Sequence, residues 1–64
     1  MWTTIYVASG HDWAKEIEQK LLSEGYIVKS KFFATEGDEE LYEILAPSFE
    51  AEEIQSVLME LDII

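Results

Sequence analysis

The 64-residue chain predicts an α+β domain with the element order β-α-β-β-α. Three observations carry that prediction. Three segments are rich in β-branched and aromatic residues and alternate with a period near two. Two others place apolar residues at helical spacing. Glycine, serine and proline mark the boundaries between them.

Trp2 to Ala8 is the first expected strand, with Ile5 and Val7 on one face and Trp2, Thr4 and Tyr6 on the other. Ser9 and Asp12 have the spacing of a capping box, with Asp12 in the place usual for Glu or Gln. A helix is therefore expected from there to about Glu24, with Ala14, Ile17 and Leu21 on its buried stripe. Gly25 suits the left-handed residue that closes it. Tyr26 to Ala34 is the second strand. Val28, Ser30 and Phe32 are assigned to the core face, and Ile27, Lys29, Lys31 and Phe33 to the opposite one. Thr35 to Glu39 is a turn around Gly37. In the third strand, Leu41 to Ala46, residues Tyr42, Ile44 and Ala46 point one way and Leu41, Glu43 and Leu45 the other. Ser48 is the expected N-cap of a second helix. Glu50, Glu52 and Glu53 crowd its first turn, where the helix dipole favours anions. Ile54, Val57, Leu58 and Leu61 form its apolar stripe.

The first helix returns the chain to a strand parallel to the first, through a crossover expected to be right-handed. The turn at Gly37 makes the second and third strands a hairpin. The compact solution is a ferredoxin-like two-layer sandwich, a single domain over residues 1–64. Its three-stranded sheet has the order 1-3-2 with both helices on one face. The final strand of that fold is missing or survives as a stub at Asp62 to Ile64. The expected core is Ile5, Val7, Ile17, Leu21, Val28, Phe32, Ile44, Ile54, Leu58 and Leu61.

Fourteen acidic residues face four lysines, a formal charge of −10. Nucleic-acid affinity comes largely from neutralising phosphates, so nucleic-acid partners are not expected, and neither is an anionic membrane surface. No apolar stretch approaches the ~20 residues needed to span a bilayer. The N-terminus lacks the basic start of a signal peptide, and a cytoplasmic location is expected. A chain this short buries only about 60% of its unfolded surface. Without cysteine, oligomerisation is the stabilising device left open.

No residue group meets the requirements of a catalytic or metal site, and no cofactor is expected. His11 beside Asp12 could suggest general-base chemistry, but no nucleophile accompanies the pair. Glu36, Asp38, Glu39 and Glu40 surround Gly37, yet the cluster is too short for a calcium loop with alternating ligands. Ser9-Gly10 before a helix has the form of a phosphate site, but Asp12 would oppose an anion. The informative feature is the sheet face turned away from the helices. There the reading places Trp2, Tyr6, Ile27, Phe33, Leu41 and Leu45, with Lys29, Lys31 and Glu43 among them. Six large apolar groups exceed what a monomer normally leaves in water.

Tyr6-Val7-Ala8-Ser9 leading into Ala14, Ile17 and Leu21 resembles a family of short bacterial domains of unknown function. So do Glu24-Gly25-Tyr26-Ile27-Val28-Lys29 and Tyr42-Glu43-Ile44-Leu45-Ala46-Pro47 before an acidic helix. The family is found mostly in Firmicutes and is sometimes labelled signal-transducing. The resemblance spans nearly the whole chain and implies a ferredoxin-like, PII-like regulatory domain with no catalytic residue. Some relatives carry a glutamate decarboxylase label. The chain gives that label no support, because such an enzyme must enclose a pyridoxal cofactor with partners for its phosphate and ring nitrogen.

The expected function is a regulatory or protein-interaction module without catalytic activity, self-associating as a homodimer through the open face or an edge strand. The alternative is a sensor of the PII-like or amino-acid-binding type, taking a small molecule in an inter-subunit cleft.

Overall fold

The computed structural model describes residues 1–64. Its elements are β1 (Trp2–Ser9), α1 (His11–Ser23), β2 (Lys29–Glu36), β3 (Glu39–Pro47) and α2 (Ala51–Glu60), with a 3-10 turn over Ser48–Glu50 before α2. The sheet order is β1-β3-β2, and β3 is antiparallel to both neighbours. This is the expected α+β, ferredoxin-like arrangement. α1 lies over all three strands, and α2 packs on β1. One cluster of buried residues joins both helices to the same side of the sheet.

Each edge strand carries a bulge, and the bulges move side chains between faces. In β1, Thr4 pairs with Leu45 and Tyr6 with Ile44, so Ile5 is an extra residue. A bulge of this kind turns two successive side chains to one side. Ile5 and Tyr6 both face the helices, Ala8 follows them inward, and Val7 turns out, 43% exposed. In β2 the extra residue is Phe33, between Phe32 opposite Tyr42 and Ala34 opposite Leu41.

Ten residues form the core: Ile5, Ala8, Ala14, Ile17, Leu21, Val28, Ile44, Ala46, Ile54 and Leu58. Three expected members fall outside it. Val7 is displaced by the bulge. Phe32 sits on an edge strand, 51% exposed, with its ring edge-on to Tyr42 at 5.8 Å. Leu61 lies past the end of α2 and has left the helical stripe.

The helix starts differ from expectation. Ser9 remains in β1, and its hydroxyl donates to the Glu39 carboxylate instead of capping α1. Gly10 makes the turn at φ 96° and ψ 138°, a conformation that side chains with a Cβ rarely adopt. Ser48 does not cap α2 either. Its N–H and hydroxyl both donate to the Met1 carbonyl, at 2.8 and 3.0 Å.

Both helices end in Schellman motifs. At α1, Tyr26 N–H reaches the Leu21 carbonyl and Gly25 N–H that of Leu22, with Gly25 at φ 95°. At α2, Ile63 N–H reaches Leu58 and Asp62 N–H reaches Met59, with Asp62 at φ 60°. Hydrogen bonding of this kind satisfies the last carbonyls of a helix. It also decides the C-terminal segment: Asp62 to Ile64 forms a helix cap and no strand.

β2 begins three residues later than expected. Continuing the register, Ile27 would lie opposite Pro47, which has no N–H to donate. Tyr26, Ile27 and Val28 therefore lead into the sheet without joining its ladder.

Candidate functional site: the outer face of the sheet

Register alone fixes what the helix-free face presents. β3 contributes Leu41, Glu43, Leu45 and Pro47 along the centre. Trp2, Thr4, Val7 and Ser9 line the β1 side, and Lys29, Lys31 and Ala34 the β2 side. Phe33 stands on the β2 bulge, 55% exposed.

Side chains from the two edges meet over the central strand. Lys29 Nζ lies 4.2 Å from the centroid of the Trp2 ring, a cation–π contact worth about 0.5–1 kcal/mol at an exposed site. It spans the row containing Leu45. Thr4 Oγ1 donates to Glu43 Oε1 at 3.0 Å. Lys31 is the cross-strand partner of Glu43, but the ion pairs of the chain lie elsewhere, at His11–Asp12, Lys15–Glu18 and Lys20–Glu16.

Of the residues expected on this face, Trp2, Lys29, Lys31, Leu41, Glu43 and Leu45 are there, and Phe33 is exposed on the β2 bulge. Tyr6 is not. The Ile5 bulge rotates it to the helix side, where it packs against the core. Ile27 is exposed in the connection before β2. Thr4 lies on this face as alternation places it, and the residues missed by simple alternation are Val7, Ser9, Glu36 and Glu39. Glu36 pairs with Glu39 at the hairpin end, and Ser9 donates to Glu39 from the neighbouring strand. The signal for Val7 would have been the bulge, which hydrophobic alternation does not report.

The remaining candidates stay dispersed. His11 Nδ1 is 3.5 Å from Asp12 Oδ1, with both side chains in solvent. The His11 ring also meets Tyr42 edge-on at 5.6 Å. The Ser9 hydroxyl, two residues before His11, is engaged with Glu39. The Gly10 N–H is taken by the Glu40 carbonyl at 2.7 Å, which removes a donor from any anion cradle there. No three His, Cys, Asp or Glu side chains converge as metal ligands would, and no pocket opens on the chain. No helix is long and apolar enough to cross a membrane.

Two tyrosines are perturbed. Burial, then Glu40 beside it, pushes the Tyr42 hydroxyl above its ordinary pKa, and that hydroxyl donates to Glu40 Oε1 at 3.3 Å. Tyr26 is raised by burial first, then by Glu53, Glu24 and Glu50. Both effects belong to the helix side and its margins.

The site is thus a shallow surface on which Trp2, Val7, Leu41, Leu45 and Pro47 are interspersed with charged groups, Lys31 standing opposite Glu43 at its middle and Glu36 with Glu39 at the hairpin end. No protein-family model, curated protein or solved structure matches the chain.

Proposed function

We propose that this chain is a non-catalytic interaction module that associates with a second copy of itself through the outer face of its sheet. The observation that carries this reading is the set Trp2, Val7, Leu41 and Leu45 on a face that neither helix covers. Contiguous apolar surface of this kind marks interaction sites in small domains. The reading accords with the resemblance to signal-transducing domains, which brings no catalytic residue with it.

The bulges favour the face over an edge. Extending the sheet across β1 or β2 needs a regular row of free N–H and C=O groups. The Ile5 bulge interrupts that row in β1, and its carbonyl already accepts from Gln55 at 2.7 Å. The Phe33 bulge interrupts β2.

Three strands spaced ~4.8 Å apart and eight residues of ~3.3 Å each make a face of about 14 by 26 Å. That is roughly 360 Å² per chain and about 730 Å² in all, below the ~1,200 Å² at which standard specific interfaces begin, so the contact is weak and transient. A reversible dimer with a micromolar dissociation constant is the expectation. Sedimentation velocity from about 5 to 200 μM tests it. The parent should shift toward dimer over that range, while Leu45→Glu and Val7→Glu remain monomeric and keep its melting temperature. A parent that stays monomeric at the highest concentration would overturn the proposal.

A further inference from the structure

The two helices differ in what they turn to solvent. On α1, two of the three carboxylates have cations of their own, Lys15 at 3.5 Å from Glu18 and Lys20 at 3.8 Å from Glu16. Lys20 also stands in the last turn, where the helix dipole favours a cation. The outward stripe of α1, Asp12, Glu16, Gln19 and Ser23, is polar throughout, as a solvated helix face ordinarily is.

α2 and the turn before it follow neither rule. From Ser48 to Ile64 there are five carboxylates and no lysine or arginine. The dipole accounts for Glu52 and Glu53 in the first turn of α2. It opposes Glu60 at the other end, and Asp62 just beyond. No cation of the chain stands beside either, since its ion pairs all lie on α1. The outward stripe is also partly apolar, with Phe49 86% exposed and Met59 62%. Phe49, Glu52, Ser56 and Met59 are all exposed and follow one another at spacings of three, four and three. Glu50 and Ala51 have right-handed helical backbones, so the stripe runs unbroken from the 3-10 turn into α2. Such spacing makes a seam on which a second helix can pack. From Phe49 to Met59 the seam runs ten residues, about 15 Å. Glu53 and Glu60 flank it on one side.

We propose that the outward stripe of α2 docks a basic amphipathic helix of another protein, with apolar side chains over Phe49 and Met59 and lysine or arginine beside Glu53 and Glu60. The seam sets the form of the partner and the uncompensated carboxylates set its sign. A second copy of this stripe would bring like charges together and is disfavoured. The surface is separate from the outer sheet face, because α2 packs on the other side of the sheet.

The probe is a fluorescein-labelled leucine–lysine helix of about 18 residues, long enough to be helical, with leucines spaced three and four apart. Fluorescence anisotropy follows its titration with the full chain. Saturable one-to-one binding is expected, at least about tenfold tighter than that of oligolysine of equal charge. Phe49→Ser and Met59→Ser should each weaken it at least about fivefold. Both positions are exposed, so the melting temperature should hold. Glu60→Gln should weaken binding about twofold while raising the melting temperature, because it removes a carboxylate from the negative end of α2. Val7→Ser and Phe33→Ser, at exposed positions on the sheet, should bind as the parent does. Equal binding of oligolysine, or parent-like binding by Phe49→Ser, would overturn the proposal. Loss of peptide binding in Val7→Ser would move the peptide to the sheet face, and loss of self-association in Phe49→Ser would make the stripe a contact between copies. Either refutes it. Co-sedimentation of the parent with phosphatidylcholine vesicles, abolished by Phe49→Ser, would assign the stripe to a lipid surface instead.

Discussion

Gln55 holds the one irregularity that decides which residues reach the outer face. Its Nε2 donates to the Ile5 carbonyl at 2.7 Å in a half-buried setting, where the bulge takes Ile5 out of the β1–β3 pairing. Gln55→Met keeps the length of the side chain and removes the donor. A buried carbonyl left without a partner costs about 1–3 kcal/mol, and partial access to water brings the expected loss to about 1–2 kcal/mol. In a domain of this size each kcal/mol moves the melting temperature by about 4–8 °C, so the variant should melt about 5–15 °C below the parent. Gln19→Met, on the exposed side of α1, is the control for helix propensity. Thermal unfolding by circular dichroism reads the difference, and amide exchange at Tyr6, Val7 and Ala8 should quicken with it. If Gln55→Met melts within 2 °C or so of the Gln19→Met control, the Ile5 carbonyl does not depend on Gln55 and the bulge has another cause.

Other outcomes follow from the helix ends and the tyrosines. Asp62→Gly should stabilise by about 1 kcal/mol, since it relieves a left-handed Cβ and a carboxylate at the negative end of α2, less the entropy of glycine in the unfolded chain. Chemical denaturation checks this, and a destabilised variant would contradict the cap. Leu58→Ala, at a fully buried position, should cost about 2–5 kcal/mol, whereas Leu61→Ala should cost less than about 1 kcal/mol. Equal losses would mean that α2 continues past Glu60. Tyr26 and Tyr42 have raised pKa values in the folded chain, so folding favours their protonated forms. Stability should be intact below about pH 10, the unfolded value, and fall as pH rises through the folded values. Tyr26→Phe with Tyr42→Phe should flatten that alkaline loss in pH-dependent melting.

The element order was legible because its signals are local. β-branched enrichment, the Ala14-Ile17-Leu21 stripe and Gly25 as a left-handed stop each depend on neighbours in sequence, and each marks its element in the structure. The faces of β3 were legible for the same reason, since its alternation runs unbroken from Tyr42 to Ala46. What failed was long-range. Val7 is as good a core residue as Ala8 by hydrophobicity, and only the pairing of Tyr6 with Ile44 reveals that Ile5 is bulged. Ser9 and Ser48 both carry the chemistry of N-caps. Each instead bonds a distant group, the Glu39 carboxylate and the Met1 carbonyl, because tertiary partners compete with the local cap. The outer face was largely visible, but the carboxylates at its hairpin end were not. Glu36 and Glu39 read as turn residues until the hairpin register placed them opposite each other on the strands.

The acidity takes on a second meaning once it is divided by surface. The outer face holds two lysines against three glutamates, while the rest of the chain holds two lysines against eleven acidic residues. Charge of one sign on the helix side repels a second copy approaching there, over a Debye length of about 8 Å at physiological ionic strength. On the sheet side the charges are nearly balanced, with Lys31 opposite Glu43. A surface that is repulsive on every side but one nearly neutral face disfavours wrong encounters as much as it favours the right one. Solubility alone would be served by carboxylates spread evenly over every face. It gives no reason for both β2 lysines to stand on the outer face. Self-association through that face gives a reason, since two lysines there offset carboxylates that would otherwise repel a second copy.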